Sequence, residues 1–333
     1  MVGQSAHDVG GFSMAAVLQG FTVIWIIIAV GFFVGRIGLL GPEARLTLSR
    51  LTFFVASPCL LFTTISSSPI GEVLGPQFAV AALSAFSTLA VFMLVGRALL
   101  RGRKGSELMI AGMGASLVNA ANLGFPIAEY VLGDVRLAAP IVMFQLAFYA
   151  PLYVMVMDQL ARREKASAKS SGAGSRLAAL RSMGRSVLHP VIIGALLGLV
   201  FSWQEWSFPE PMQEAIELLA GASIPLMLLA FGLSLVGVKP LEKAGGRRRD
   251  VTLASSMKLI LHPVIAFLIA YFLFGLEGNM LLAAVIMGSL STAQNVLVTA
   301  VRYQSGETIA RDTVLVTTVL GIPSMVIIAL LLA

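Results

Sequence analysis

The sequence predicts an all-α polytopic membrane protein whose ten transmembrane helices form two inverted five-helix repeats. Of its 333 residues, 57% are hydrophobic and only 12% are charged, whereas a typical soluble domain carries about 25% charged residues. Because a soluble globule cannot bury so much apolar surface, that class is excluded. The low charge and the mean hydropathy of +0.90 also exclude an intrinsically disordered chain.

Ten apolar segments make up most of the chain, and most of them are long enough to span a bilayer at about 20 residues per helix. The sixth segment is the shortest. Residues 1–13 form a polar N-terminal extension without the basic start of a cleavable signal peptide. The segments cover residues 14–35, 46–66, 76–100, 108–132, 137–160, 187–203, 212–236, 252–275, 279–301 and 308–332.

The basic residues predict the orientation in the membrane. All but one of the 23 Lys and Arg residues lie in or beside the loops that follow odd-numbered segments, and the exception is Arg136. The positive-inside rule therefore predicts an inner-membrane protein with both termini on the non-cytoplasmic side. The net charge of +6 is explained by this topology and gives no indication of nucleic-acid binding.

The chain divides into two halves that resemble each other. A cytoplasmic linker, residues 161–185, separates a first repeat, 14–160, from a second, 186–333, and each repeat holds five segments. A single shift along the chain superposes Ser116 on Ser289 and Asn122 on Asn295. Because five is odd, the second repeat enters the membrane from the opposite face, as in the inverted repeats of secondary transporters.

Segment 4 carries polar residues and helix-breaking residues near the middle of the membrane. Asn119 lies about 17 Å and Asn122 about 21 Å from the cytoplasmic start of the segment at 1.5 Å per residue. Pro126 removes a backbone donor opposite the Asn122 carbonyl, and Gly124 allows a bend. Two interpretations stay open from this segment alone, namely a proline kink with asparagines that join helices and a binding site.

Segment 9 favours the binding site, because Ser291, Gln294 and Asn295 lie at the matching depth of the other half. Interrupted helices at corresponding positions of two repeats are typical of a transporter site near the midplane. The N-terminus of each second half-helix would carry a partial positive charge, which suits an anion. Asn119, Asn122, Gln294 and Asn295 are therefore predicted to line a shared substrate cavity.

Three ionisable residues are candidates for ion coupling or for a counter-charge. Lys258 either extends to the cytoplasmic interface or neutralises the substrate. His262 either packs in the core or carries a proton, and Glu129 is expected at the outer vestibule. With one cysteine and three histidines, no metal site and no cofactor are predicted.

These motifs resemble those of the auxin efflux carrier family, which is related in fold to the bile acid/sodium symporters. Asn119, Gly124 and Pro126 match its Asn-x4-Gly-x-Pro pattern, and residues 222–235 and 292–295 resemble its segments 7 and 9. The resemblance implies a scaffold unit, a transport unit with broken and crossing helices 4 and 9, organic anion substrates and homodimers. Ser291 departs from the family, which usually has proline there.

The predicted function is secondary active transport of small organic anions by alternating access, with a proton as a candidate coupling ion, and not enzymatic catalysis. Two alternatives stay open. A sodium-coupled symporter of the bile-acid type would need a carboxylate near the crossing, and segment 9 has none between Met280 and Ala300. A membrane-embedded enzyme would need a nucleophile and a base, for which only Ser291 with His262 is conceivable.

The predicted orientation can be tested by cysteine labelling. In a background in which Cys59 is replaced by Ser, Gly71→Cys and Gly278→Cys should react with a membrane-impermeant thiol reagent in intact cells, because both positions lie in predicted external loops. Ser170→Cys, in the predicted cytoplasmic linker, should react only after the membrane is permeabilised. Labelling of Ser170→Cys in intact cells would reverse the orientation.

Overall fold

The computed structural model describes residues 14–41, 43–69, 71, 74–168, 190–237 and 246–332. These residues fold into α-helices with short 3-10 and π-helical turns, and their only β-type pairing is one isolated bridge between Val118 and Thr292. The predicted extension 1–13 and the part of the linker beyond residue 168 lie outside the described residues.

We number the helices after the predicted segments that they contain, with a and b for the two parts of an interrupted segment. α4b begins with a π-helical turn, Ala120–Gly124, that continues into Phe125–Tyr130. The other helices are α1 (Met14–Arg36), α2 (Ala44–Ser66), α3 (Pro76–Leu99), α4a (Gly105–Ser116), α5 (Val135–Glu164), α6 (Pro190–Gln204), α7 (Glu210–Ser234), α8 (Arg248–Leu273), α9a (Gly278–Ser289), α9b (Asn295–Tyr303) and α10 (Glu307–Leu332).

The prediction of an all-helical membrane chain is confirmed. Within the described ranges, seven helices are long and apolar enough to cross a membrane: α1, α2, α3, α5, α7, α8 and α10. α6 and α9a are apolar but shorter. Segments 4 and 9 are not continuous helices, because each is interrupted near its middle. The ten-helix inverted repeat stays a prediction.

The outer surface of the helices suits lipid. Large apolar side chains are widely exposed, among them Trp203 at 72%, Phe272 at 73% and Leu331 at 78% of their surface. Apolar surface of this extent is rare on a soluble monomer and marks contact with a membrane or a partner.

Two helix pairs, α1 with α7 and α2 with α6, form a tightly packed layer. Gly232 of α7 lies against the backbone of Ile28, and Gly194 of α6 lies against the backbone of Pro58, so that neither glycine has room for a Cβ atom. Small residues of this kind allow the close backbone approach that stabilises helix pairs in lipid. We call α1, α2, α6 and α7 the paired-helix layer.

The remaining helices form a second layer around the two interrupted segments. α3 packs against α4a and α8, and α10 packs against α4a, α8 and α9a. α4a is almost completely buried and α9a is buried from Leu282 to Ser289, whereas α3 and α8 also expose apolar residues. The second layer therefore surrounds the interruptions of segments 4 and 9 with protein on most sides.

Candidate functional site

The interruptions of segments 4 and 9 meet and pair through their backbones. α4a ends at Ser116 and α9a ends at Ser289. The Asn119 amide donates a hydrogen bond of 2.8 Å to the Ser291 carbonyl, and the Ala293 amide donates one of 3.1 Å to the Leu117 carbonyl. The two extended stretches thus satisfy part of each other's backbone, which lipid could not do.

Side chains of neighbouring helices satisfy two further backbone donors at the crossing. The Val118 amide donates to Gln145 Oε1 of α5 at 3.1 Å, and the Thr292 amide donates to Thr317 Oγ1 of α10 at 3.0 Å. Thr292 Oγ1 donates to the Gly114 carbonyl near the end of α4a at 2.6 Å. α5 therefore supplies a hydrogen-bond acceptor to the interruption of segment 4, and α10 supplies one to that of segment 9. Each is the fifth helix of its predicted repeat.

The position of the break in segment 4 differs from the prediction. The chain leaves helical geometry at Leu117–Asn119, before the proline rather than at it, because these residues pair with segment 9. Gly124 ends the π-helical turn, and Pro126 is the second residue of the α-helical stretch Phe125–Tyr130 that follows it. Segment 9 is also fully interrupted, although Ser291 takes the place of the proline that the resemblance leads one to expect.

Two adjoining cavities lie beside the crossing. The large cavity has a volume of about 280 Å³ and the small cavity one of about 40 Å³. Asn122, Gln294 and Asn295 line both cavities, and Asn119 lines the small one. The four predicted amide residues thus line two adjoining cavities, three of them in common. Among the described residues, no carboxylate lines either cavity.

Asn119 is the most constrained of these amides. It is 1% exposed, and its Nδ2 atom has no hydrogen-bond partner among the described residues. A buried amide donor without a partner costs about 1–3 kcal/mol, so a bound acceptor would recover that free energy. Asn122 and Gln294 are half-buried and Asn295 is exposed, which leaves them accessible to a small molecule.

Several cavity residues were missed by the sequence analysis. Arg50 and Thr52 of α2 line the large cavity, and Gln145 and Tyr153 of α5 line the small one. Arg50 had been assigned to topology with the other basic residues. The sequence signal nearest to it is Ala56-Ser57-Pro58, which begins six residues after Arg50 and resembles Ala222-Ser223-Ile224-Pro225 of segment 7. Ser57 Oγ lies 3.3 Å from Ser223 Oγ.

Lys258 and His262 form a buried pair away from the two cavities. The Lys258 side chain is 0% exposed, and its Nζ atom lies 2.7 Å from His262 Nδ1 and 3.3 Å from the Gly288 carbonyl. His262 Nε2 lies 3.3 Å from Ser84 Oγ of α3. The interpretation that Lys258 extends to the membrane interface is therefore wrong, because α3 and α9a enclose it.

The structure does not bring every predicted residue to the cavities. Glu129 is exposed at the end of α4b, and Gly124 and Pro126 shape the backbone without lining either space. Ser291 is buried and lies against Gly321 of α10, and its Oγ has no partner among the described residues. The contribution of these four residues is thus to backbone geometry or to the surface.

The support that α10 gives to the crossing can be tested with two adjacent threonines. Thr317→Val should lower the stability of the protein in detergent by about 1–3 kcal/mol, because it leaves the buried Thr292 amide without a partner. The measurement is the midpoint of thermal or denaturant unfolding. Thr318→Val is the matched control, since the buried Thr318 hydroxyl has no partner among the described residues. Equal effects of both variants would contradict the role of Thr317.

Comparisons with known proteins agree with a transporter. A family model described as "Membrane transport protein" matches residues 16–329. The chain is 26% identical over 306 residues, 90% of each chain, to a protein of Rhizobium meliloti (strain 1021) named "Putative malonate transporter". It is also 26% identical over 307 residues to an "Uncharacterized transporter" of Methanothermobacter thermautotrophicus, with 91% of this chain and 94% of the relative covered.

Proposed function

Because the chain belongs to the membrane transport protein family, of the auxin efflux carrier type that its motifs resemble, we propose that it is a secondary active transporter of small organic anions. The observation that carries the proposal is the composition of the two cavities. Amide side chains from both interrupted segments and the cation of Arg50 line them, and no carboxylate does so among the described residues. Such a lining attracts an anion, and it lacks the carboxylates that would favour a metal cation.

The position of the large cavity supports alternating access. One wall comes from the paired-helix layer, through Arg50, Val191 and Met227, and the other comes from the second layer, through Asn122 and Gln294. A site between two packed units becomes accessible from the other side when one unit moves against the other. In our proposal the second layer is the transport unit and the paired-helix layer is the scaffold.

Internal correspondences support the inverted repeat. α1 packs on α7 and α2 packs on α6, which are equivalent pairs if segments 1 and 2 correspond to segments 6 and 7. Ser57 and Ser223, from matching motifs, lie next to each other. We therefore retain ten membrane segments in two inverted repeats, with both termini on the non-cytoplasmic side of the inner membrane and with a homodimer as a further expectation.

Carboxylates are the proposed substrate class. Amide N–H groups can donate to a carboxylate without a permanent charge, and Asn119 has a free donor at the small cavity. α9b begins at Asn295, beside both cavities, and the N-terminus of a helix favours negative charge. The name of the Rhizobium relative, which specifies malonate, points to the same class.

The proposal predicts that Asn119→Ala weakens carboxylate binding about tenfold to hundredfold, since a hydrogen bond to a charged group is worth about 1.5–3 kcal/mol. Binding of short carboxylates to purified protein, followed by counterflow in proteoliposomes, would measure the effect. Asn279→Ala is the control, because Asn279 is exposed at the start of α9a and lines neither cavity.

Unchanged affinity of Asn119→Ala would instead assign Asn119 a role in helix packing.

The same measurements in sodium and in choline buffers separate the proposed site from a symporter of the bile-acid type. We expect equal affinities in both buffers, and a requirement for sodium would favour the symporter.

We further propose that the Lys258–His262 pair carries the proton if transport is proton-coupled. A contact of 2.7 Å between two nitrogens needs one donor and one acceptor, so the pair holds one positive charge at most in this arrangement. α3 and α9a, which pack against it, contain no carboxylate. α4a and α10 also pack against it, and among their carboxylates Glu107 is paired with Arg247 and Asp312 with Arg311. In our proposal the substrate anion balances the charge of the protonated pair at a distance, because the pair lines neither cavity, whereas Glu129 is exposed at the end of α4b.

This coupling predicts the pH dependence of transport. The protonated, cationic pair should favour the anion, so the apparent affinity of the wild-type protein should fall as the pH rises through the titration of the pair. His262→Gln should flatten that dependence, because glutamine cannot take up a proton. The measurement is the substrate concentration for half-maximal uptake at several pH values. A profile unchanged by His262→Gln would leave Lys258 alone as the candidate carrier.

A further inference from the structure

One contact between the two layers is made by backbone alone. The space that a Cβ atom of Gly20 in α1 would need is occupied by the carbonyl group of Tyr130, the last residue of α4b. We propose that Gly20 and Tyr130 form an outer gate, which is closed in this structure and opens when the large cavity closes toward the cytoplasm. The inference rests on the proposed movement of the two layers, and it assigns Gly20 to the transport cycle rather than to substrate binding.

The outer gate differs from the other close glycine contacts in what it joins. Gly31 of α1 lies against the backbone of Leu229 in α7, and Gly194 and Gly232 lie against backbone within the same layer. Those three contacts hold the paired-helix layer together. Among the described glycines that have neighbouring backbone in the place of a Cβ atom, Gly20 is the one that joins this layer to the second layer.

The sequence of α1 places Gly20 on the face that packs against protein. The residues Gly20, Ile24, Ile28, Gly31 and Gly35 follow one another at intervals of three or four, so they lie along one side of the helix. Ile24 and Ile28 are 0% and 2% exposed. Gly31 and Gly35 contact α7, whereas Gly20 contacts α4b. One side of α1 therefore belongs to the paired-helix layer along most of its length and to the outer gate at its N-terminal end.

The outer gate lies on the non-cytoplasmic side in the proposed orientation, because α1 begins and α4b ends there. Apolar side chains fill the space around it: Phe21 of α1 is 3% exposed, and Ile127 and Val131 of segment 4 are 0% and 2% exposed. These side chains offer no polar path to a hydrated substrate.

The large cavity reaches the opposite side. Ser49 and Arg50, which line it and are exposed, lie near the start of α2, and Val191, which also lines it, lies at the start of α6. Both helix starts follow cytoplasmic loops in the proposed orientation. A cavity open toward the cytoplasm, together with a closed outer contact, is the arrangement of an inward-open transporter. Access from the outside then requires α1 and α4b to separate.

The contact between Gly20 and Tyr130 is sensitive to side-chain size. A side chain at position 20 would overlap a backbone carbonyl, which cannot rotate away as the end of a flexible side chain can. The overlap is relieved when α1 and α4b move apart. A larger residue therefore raises the free energy of the state with the gate closed and leaves that of the open state unchanged, so the population shifts toward the open gate.

The experiment follows the outer gate with two cysteine reporters in the full-length protein, in which Cys59 is replaced by Ser. Ile24→Cys reports the outer side, because Ile24 is buried one turn from Gly20 on the same face of α1. Ala230→Cys reports the large cavity, which Ala230 lines. The reaction rate of each reporter with a membrane-impermeant thiol reagent is measured in intact cells and in inside-out vesicles, with and without Gly20→Val.

Gly20→Val should move the two rates in opposite directions. The rate of Ile24→Cys in intact cells should rise about fivefold to hundredfold, the population change that corresponds to the usual penalty for overpacking. The rate of Ala230→Cys in inside-out vesicles should fall, because the large cavity closes toward the cytoplasm when the outer gate opens. Gly20→Ala, which adds the Cβ atom alone, should act in the same direction.

Two substitutions control for the added volume and for folding. Gly221→Val should change neither rate, because Gly221 is an exposed glycine of α7 with open space at its Cβ position. Gly232→Val introduces a similar overlap inside the paired-helix layer, against the backbone of Ile28. It should lower the midpoint of thermal unfolding without opposite changes of the two rates, since no step of the proposed cycle separates α1 from α7.

Unchanged rates in the folded Gly20 variants would overturn the inference, and so would rates that rise together, which indicate loosened packing. Loss of folded protein in both Gly20 variants would also overturn it, because the contact would then be a fixed part of the fold. The reporters need no substrate, so this test is separate from that of the proposed function. Carboxylate counterflow with unchanged reporter rates contradicts the outer gate alone, whereas opposite rate changes without any carboxylate binding support the outer gate and contradict the proposed substrate class.

Discussion

The structure depends on the need to satisfy backbone hydrogen bonds where lipid supplies none. Segments 4 and 9 leave helical geometry in the middle of the protein, and their extended stretches satisfy each other through the bridge between Val118 and Thr292. The backbone amides of Val118 and Thr292 themselves donate to the side chains of Gln145 and Thr317 instead. Because an unsatisfied backbone group in a membrane costs several kcal/mol, the two interruptions are energetically linked, and neither can separate from the other without exposing polar atoms.

This linkage explains the division of the molecule into two layers. The crossing binds α4a, α5, α9a and α10 to one another through polar contacts, whereas α1, α2, α6 and α7 are held together by close backbone packing at glycines. The large cavity lies between these two kinds of structure. A small-molecule-sized cavity between two packed layers leaves less apolar contact to break than a continuous core would when one layer slides against the other, and the proposed alternating access requires such a movement.

The sequence predicted the amide residues of the site better than the backbone that positions them. Asn119, Asn122, Gln294 and Asn295 stood out because polar side chains are rare at that depth in a membrane segment. The position of the break could not be derived from Pro126, since long-range pairing with segment 9 moves it to Leu117–Asn119. The two alternatives for Lys258 could not be separated for a related reason: distance along a helix gives depth, but only the packing of the neighbouring helices determines whether the side chain can reach the interface.

Arg50 illustrates how one residue can satisfy two constraints. As a basic residue beside a predicted cytoplasmic loop it contributes to orientation, and as a residue of the cavity wall it offers a charge to an anion. An exposed guanidinium stays hydrated in the empty protein, so it can attract a substrate without the desolvation cost of a buried cation. In the proposed mechanism the charge that selects the anion is therefore permanent and hydrated, whereas the buried Lys258–His262 pair can lose its charge by releasing a proton. Because the pair can release its proton, the substrate-free protein can return to its starting conformation without an unpaired buried charge in the second layer.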